Sequence, residues 1–190
     1  MRKISLIVIH CSATRADRDF TAKDVDTAHR FRGFSCWGYH YYVRKSGQIE
    51  PMRDEDMVGA HARGYNSISL GVCFEGGLDA NGKPADTRTP RQKEALHRLV
   101  RELLQRYPEA KVVGHRDLSP DTNYNGIVDP WERIKECPCF EVIEEFSTSS
   151  RHYKIFCVNG NTGFRKESRI FYFIHLQNEE DYERKESRSA

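Results

Sequence analysis

No apolar run in this 190-residue chain approaches the roughly 20 residues that span a bilayer, so no membrane span is expected. An excess of charge of one sign is also missing, since 30 Lys and Arg stand against 28 Asp and Glu. Nucleic-acid binders usually carry a marked basic excess, so a nucleic-acid partner is not expected either. The opening Met1-Arg2-Lys3-Ile4-Ser5-Leu6 makes a poor export signal. Its apolar part is short, Ser5 interrupts it, and His10-Cys11 stand where small residues would mark a cleavage site. The expectation is a protein made in the cytoplasm without a signal peptide. Six cysteines (Cys11, Cys36, Cys73, Cys137, Cys139 and Cys157) then lack the secretory context that would make an even count a disulfide framework, and are read as reduced. No internal repeat is present.

What is there reads as alternating strands and helices. Residues 3–9 are rich in Ile and Val, as in a strand covered on both faces. Residues 22–32 suit a short helix closed by Gly33, and 39–50 two strands around Lys45-Ser46-Gly47. Residues 67–74 form another apolar strand, followed by a Gly/Asp/Asn/Pro-rich loop to Arg88. The clearest helix is 90–106. Thr89 is its N-cap, Pro90 takes the first helical position and Gln92 completes a capping box. Ala95, Leu96, Leu99, Val100, Leu103 and Leu104 recur on one face of it. Lys111–His115 reads as a further strand. The predicted class is α/β, a central mixed sheet flanked by helices. Residues 1–146 form the expected domain. Ser147–Ser150 reads as a linker into a C-terminal extension, with a hairpin expected over 153–176 and a charged, disordered end over 178–190.

Most of the eight histidines have ordinary explanations. His97 lies on the polar face of the long helix, and His29 suits a structural position at the end of the first. His10 and His115 differ, because each closes an apolar strand where a loop begins, and sites are built at such ends. Two imidazoles, a thiolate and a water make an established catalytic zinc arrangement. A thiolate is available downstream in Lys135-Glu136-Cys137-Pro138-Cys139, where spacing alone leaves Cys137 and Cys139 both open.

Several motifs occur together and in order. They are Ile9-His10-Cys11-Ser12, Trp37-Gly38-Tyr39-His40-Tyr41, Val58-Gly59-Ala60-His61 through Tyr65-Asn66, Ser69–Cys73, Gly114-His115-Arg116-Asp117 and Lys135-Glu136-Cys137-Pro138. Over about residues 4–146 this series resembles the type 2 N-acetylmuramoyl-L-alanine amidases, the family of amidase-type phage lysozymes and peptidoglycan recognition proteins. The resemblance implies a Zn2+ ion held by His10, His115 and Cys137, with Cys137 preferred to Cys139 because it directly precedes Pro138. It implies Tyr39 and Lys135 as catalytic residues, and His61 and Asn66 near a substrate cleft. The implied reaction is hydrolysis of the lactyl amide bond between N-acetylmuramic acid and L-alanine of peptidoglycan, by a monomeric phage- or prophage-type lysin that reaches the cell wall after release. Two other functions fit the same resemblance: a non-catalytic peptidoglycan-binding module, which would typically lack the thiolate, and a cytoplasmic amidase recycling anhydro-muropeptides.

One stretch departs from the shorter phage enzymes. Asp121-Thr122-Asn123-Tyr124-Asn125-Gly126 through Asp129 and Glu132 satisfies the calcium-loop pattern D-x-[DN]-x-[DN]-G-x5-E. Asp121, Asn123, Asn125 and Glu132 are therefore candidate ligands of a structural Ca2+.

Overall fold

The computed structural model describes residues 2–149, the side chains as far as Phe146. The hairpin and charged tail expected beyond this point lie outside the described residues. The chain runs through β1 (Leu6–Cys11), β2 (Thr14–Arg15), α1 (Ala22–Phe31), β3 (Tyr41–Val43), β4 (Ile49–Pro51), β5 (Ser69–Phe74), β6 (Gly77–Leu78), α2 (Pro90–Arg106), β7 (Lys111–Gly114) and α3 (Val142–Ser149). Five strands form one sheet in the order β4-β3-β5-β1-β7. β3, β5, β1 and β7 are parallel neighbours, and β4 returns antiparallel to β3. The sheet is therefore mixed, as expected. The short pair β2–β6 is a separate parallel ladder.

The parallel strands are apolar on both sides because both sides are covered. Side chains alternate across a strand. Ile7, Ile9 and Cys11 of β1 join Leu70, Val72 and Phe74 of β5 on one face, where Ala95, Leu96, Leu99, Val100 and Leu103 of α2 and Val142 and Phe146 of α3 complete the main core. Each of these large side chains contributes about 1.5–3 kcal/mol of burial. The opposite face carries a smaller cluster of Val25 from α1 with Tyr42, Met52 and Cys73. His10 lies between Ile9 and Cys11 and so belongs to this second face.

Both helix starts follow their sequence signals. Thr21 and Asp24 form a capping box at α1, and Thr89 and Gln92 form one at α2. Gln92 does more than cap. Its buried Nε2 donates to the carbonyls of Val43, at 3.2 Å, and Glu75, at 2.9 Å, at the ends of β3 and β5. The same residue thus starts the helix and docks it on the sheet. The expected linker at Ser147–Ser150 differs from what is observed, since α3 continues through Ser149 and crosses the expected boundary at 146. Its Ser and Thr residues are poor helix formers, but the helix is held by burying Val142 and Phe146.

Candidate metal centre

The parallel register brings the ends of β1 and β7 side by side, Ile9 opposite Gly114, so the next residues, His10 in β1 and His115 just past β7, stand together. Their rings lie 4.4 Å apart between centroids. Cys137 arrives on the chain segment after β7. The amide of Arg116 donates to the Cys137 carbonyl at 2.8 Å, tying that segment to the His115 turn. Gly114 permits the approach, because a Cβ there would lie 2.8 Å from Pro138 Cδ. One ligand atom each from His10, His115 and Cys137 fall within 4.8 Å of one another. This is the one such grouping of His, Cys, Asp or Glu among the described residues. Five of the cysteines, Cys137 included, are free thiols.

The donor chemistry fits zinc. Ligands at tetrahedral zinc distances stand about 3.5 Å apart, and His10 Nδ1 lies 3.9 Å from Cys137 Sγ. Metal ligation needs neutral imidazoles. Burial, and then the neighbouring His61, His115 and Lys135, hold His10 well below its ordinary pKa. Burial and then the charge of Lys135 lower His115 to about 4. The Cys11 amide donates to Cys137 Sγ at 3.3 Å. Cys139 points elsewhere, donating to the Gly77 carbonyl at 3.3 Å and lying 4.0 Å from Cys11 Sγ.

Lys135 and Tyr39 flank the three donors. Lys135 Nζ lies 3.2 Å from His115 Nε2. The Tyr39 ring centroid lies 5.1 Å from that of His10. Burial pushes the Tyr39 phenol well above its ordinary pKa, so it holds its proton across the neutral range.

His61 and Asn66, the residues expected near a substrate cleft, lie on one loop beside His10. His61 stands behind His10, its Nδ1 3.1 Å from His10 Nε2. Asn66 Oδ1 accepts from the backbone amides of His61 and Ala62, at 2.9 and 2.8 Å, and so clamps the loop carrying His61. His29 is structural, as read from the sequence, its Nδ1 accepting from the Gly38 amide at 3.0 Å.

The loop read as a calcium cage is closed by its own hydrogen bonds. Glu132 accepts from the Thr122 amide and hydroxyl and from the amides of Asn123 and Asp129. Three of those contacts fall on Oε1 and one on Oε2. Asp121 Oδ2 accepts from the Gly126 backbone amide, while the side-chain amides of Asn123 and Asn125 both donate to Asp129. Asp121, Asn123, Asn125 and Glu132 shape a turn, and the calcium expectation finds no support. The matching pattern arises because the same oxygens that ligate an ion also cap backbone amides.

Two imidazoles at strand ends and a thiol from a later segment make a three-donor set that could hold a metal ion, with a cation alongside. Residues 1–138 match the N-acetylmuramoyl-L-alanine amidase family. The endolysin of Enterobacteria phage K11 is 38% identical over 141 residues, 74% of this chain and 84% of that protein. The endolysin of Escherichia phage T7 is 35% identical over 136 residues, 72% of this chain and 81% of that one. Among solved structures, the N-acetylmuramoyl-L-alanine amidase LysC from Clostridium intestinale URNW superposes with a TM-score of 0.60 at 30% identity, covering 80% of this chain and 88% of that one. The chain belongs to the N-acetylmuramoyl-L-alanine amidase family, and its activity is that of an amidase.

Proposed function

We propose that this amidase is zinc-dependent, with His10, His115 and Cys137 as ligands. Its substrate is the lactyl amide between N-acetylmuramic acid and L-alanine of peptidoglycan, and its catalytic unit runs to the end of α3 at Ser149. The observation that carries the reading is the convergence of three donor atoms within 4.8 Å from segments up to 127 residues apart.

Zinc bound there supplies a Lewis acid that activates water near neutral pH and polarises the amide carbonyl. The chain supplies the rest. Lys135 sets a fixed positive charge beside His115, where it stabilises the negative charge developing on the amide oxygen. Tyr39 keeps a phenolic proton next to His10 for hydrogen bonding to the attacking water or the leaving amine. The Cys11 amide, donating to Cys137 Sγ, orients the sulfur.

The phage endolysins among its relatives favour a lysin that meets the wall after release, over recycling of soluble fragments. The test is incubation with intact sacculi and with soluble anhydro-muropeptides, with and without a chelator and added zinc. The expected result is free stem peptides from sacculi, abolished by chelation and restored by zinc. Activity confined to soluble fragments would instead support recycling.

A further inference from the structure

His61 lies outside the donor set, yet the fold goes to some length to seat it. Gly71 interrupts the otherwise side-chain-filled β5, and a Cβ there would lie 2.6 Å from His61 Cγ. Gly59 is restricted in the same way, since its Cβ would lie 2.6 Å from His61 Cδ2. A glycine inside a strand marks a close approach, and here two glycines open a slot for one imidazole. His40 braces that slot. Its Nδ1 accepts from the Gly71 amide at 3.0 Å, its Nε2 donates to the Met57 carbonyl at 3.0 Å, and its ring stands edge-on to His61.

The hydrogen bonds leading away from His61 have one consistent direction. Ser69 donates its single hydroxyl proton to the Tyr65 carbonyl at 2.8 Å. Its oxygen, 3.3 Å from His61 Nε2, is then left to accept, so His61 carries its proton on Nε2. His61 Nδ1 is consequently an acceptor, and its contact at 3.1 Å is His10 Nε2. His10 must donate from Nε2, which leaves the lone pair on Nδ1, the nitrogen 3.9 Å from Cys137 Sγ.

We propose that His61 is a positioning residue for the metal centre, which fixes the tautomer and ring orientation of His10 through the Tyr65–Ser69–His61 chain so that His10 Nδ1 faces His115 and Cys137. This gives the residue a role behind the metal instead of in the substrate cleft. The inference rests on the zinc reading proposed above. Outer partners of ligating histidines typically contribute about 10–100-fold in metal affinity.

The test uses the full chain and zinc itself as the probe, read by chelator competition alongside nitrogen-15 NMR of the histidines. In metal-free protein the expected tautomer of His10 is the Nε2–H form. His61→Leu should weaken zinc binding about 10–100-fold. His61→Asn, which returns an acceptor near the Nδ1 position, should recover most of that loss, and Ser69→Ala should fall between. Melting of the chelated variants separates loss of fold from loss of affinity, because the Asn and Leu variants should melt alike while binding zinc differently. Wild-type affinity in a folded His61→Leu protein, or an Nδ1–H tautomer of His10, overturns the inference and leaves the zinc assignment standing. A wild-type chain that binds no zinc defeats both.

Discussion

The backbone amide of Cys11 donates to the sulfur of Cys137 at 3.3 Å, across a separation of 126 residues. This contact joins the end of the first strand to the last segment of the centre. It places a hydrogen-bond donor on the sulfur, next to the strand residue that supplies the first imidazole. The sheet therefore orients the sulfur of Cys137 as well as the two imidazoles.

Lys135 is assigned to charge stabilisation, so Lys135→Ala should retain zinc and fold while kcat falls about 10²–10³-fold, the usual cost of one lost oxyanion partner. Zinc content and steady-state hydrolysis of a muramoyl-peptide check this together. Loss of zinc in that variant would instead make Lys135 a support for His115.

Tyr39→Phe removes a buried hydroxyl and its proton while keeping the ring against His10. The expected loss is about 10²–10⁴-fold in kcat, the span of general acid–base contributions, with zinc binding unchanged. An unaltered kcat would reduce Tyr39 to packing.

Acid should weaken the fold before the carboxylates begin to titrate. Burial lowers His29 and His40 from 6.5 to about 4. Below pH 6.5 the unfolded chain binds protons that the folded chain refuses, so their stabilisation is complete above that pH and is lost as pH falls toward 4. The melting temperature of chelated protein should drop on the order of 10 °C between pH 7 and pH 5. His29→Asn, whose carbonyl can still accept from Gly38, should flatten the dependence. A melting temperature that rises toward pH 5 contradicts this sign.

The loop 121–132 provides a further check. Glu132 gathers four hydrogen bonds from the loop, so Glu132→Gln should loosen it and speed proteolytic cleavage between Asp121 and Glu132, as limited digestion would reveal. Millimolar calcium should leave the wild-type digestion rate unchanged. Protection by calcium would restore the cation reading.

The sequence carries the parts of this molecule where local chemistry and tertiary need agree. Helix α2 is read to the residue because Thr89, Pro90 and Gln92 announce its start and its apolar stripe has a core to face. β1 and β7 are legible as apolar runs, and His10 and His115 stand out because each ends one. What is not legible depends on contacts between distant segments. The two-residue strands β2 and β6 are too short to show a pattern. α3 ends in residues that favour loops and exists through packing. His61 reads as a cleft residue because neither its partner His10 nor its slot is near it in the chain. Gly71 within a strand was the available signal, and it shows only that something comes close. Asp121 to Glu132 misleads for the opposite reason, since one pattern of oxygens serves both an ion and a self-capped turn.

The most direct measurement is zinc per chain, with peptidoglycan hydrolysis alongside, in the wild type, Cys137→Ala and Cys139→Ala after identical dialysis. Wild type and Cys139→Ala should each hold about one zinc and release stem peptides, while Cys137→Ala should lose the metal and the activity together. A Cys137→Ala protein that keeps its zinc and cleaves sacculi at the wild-type rate would contradict the three-donor centre.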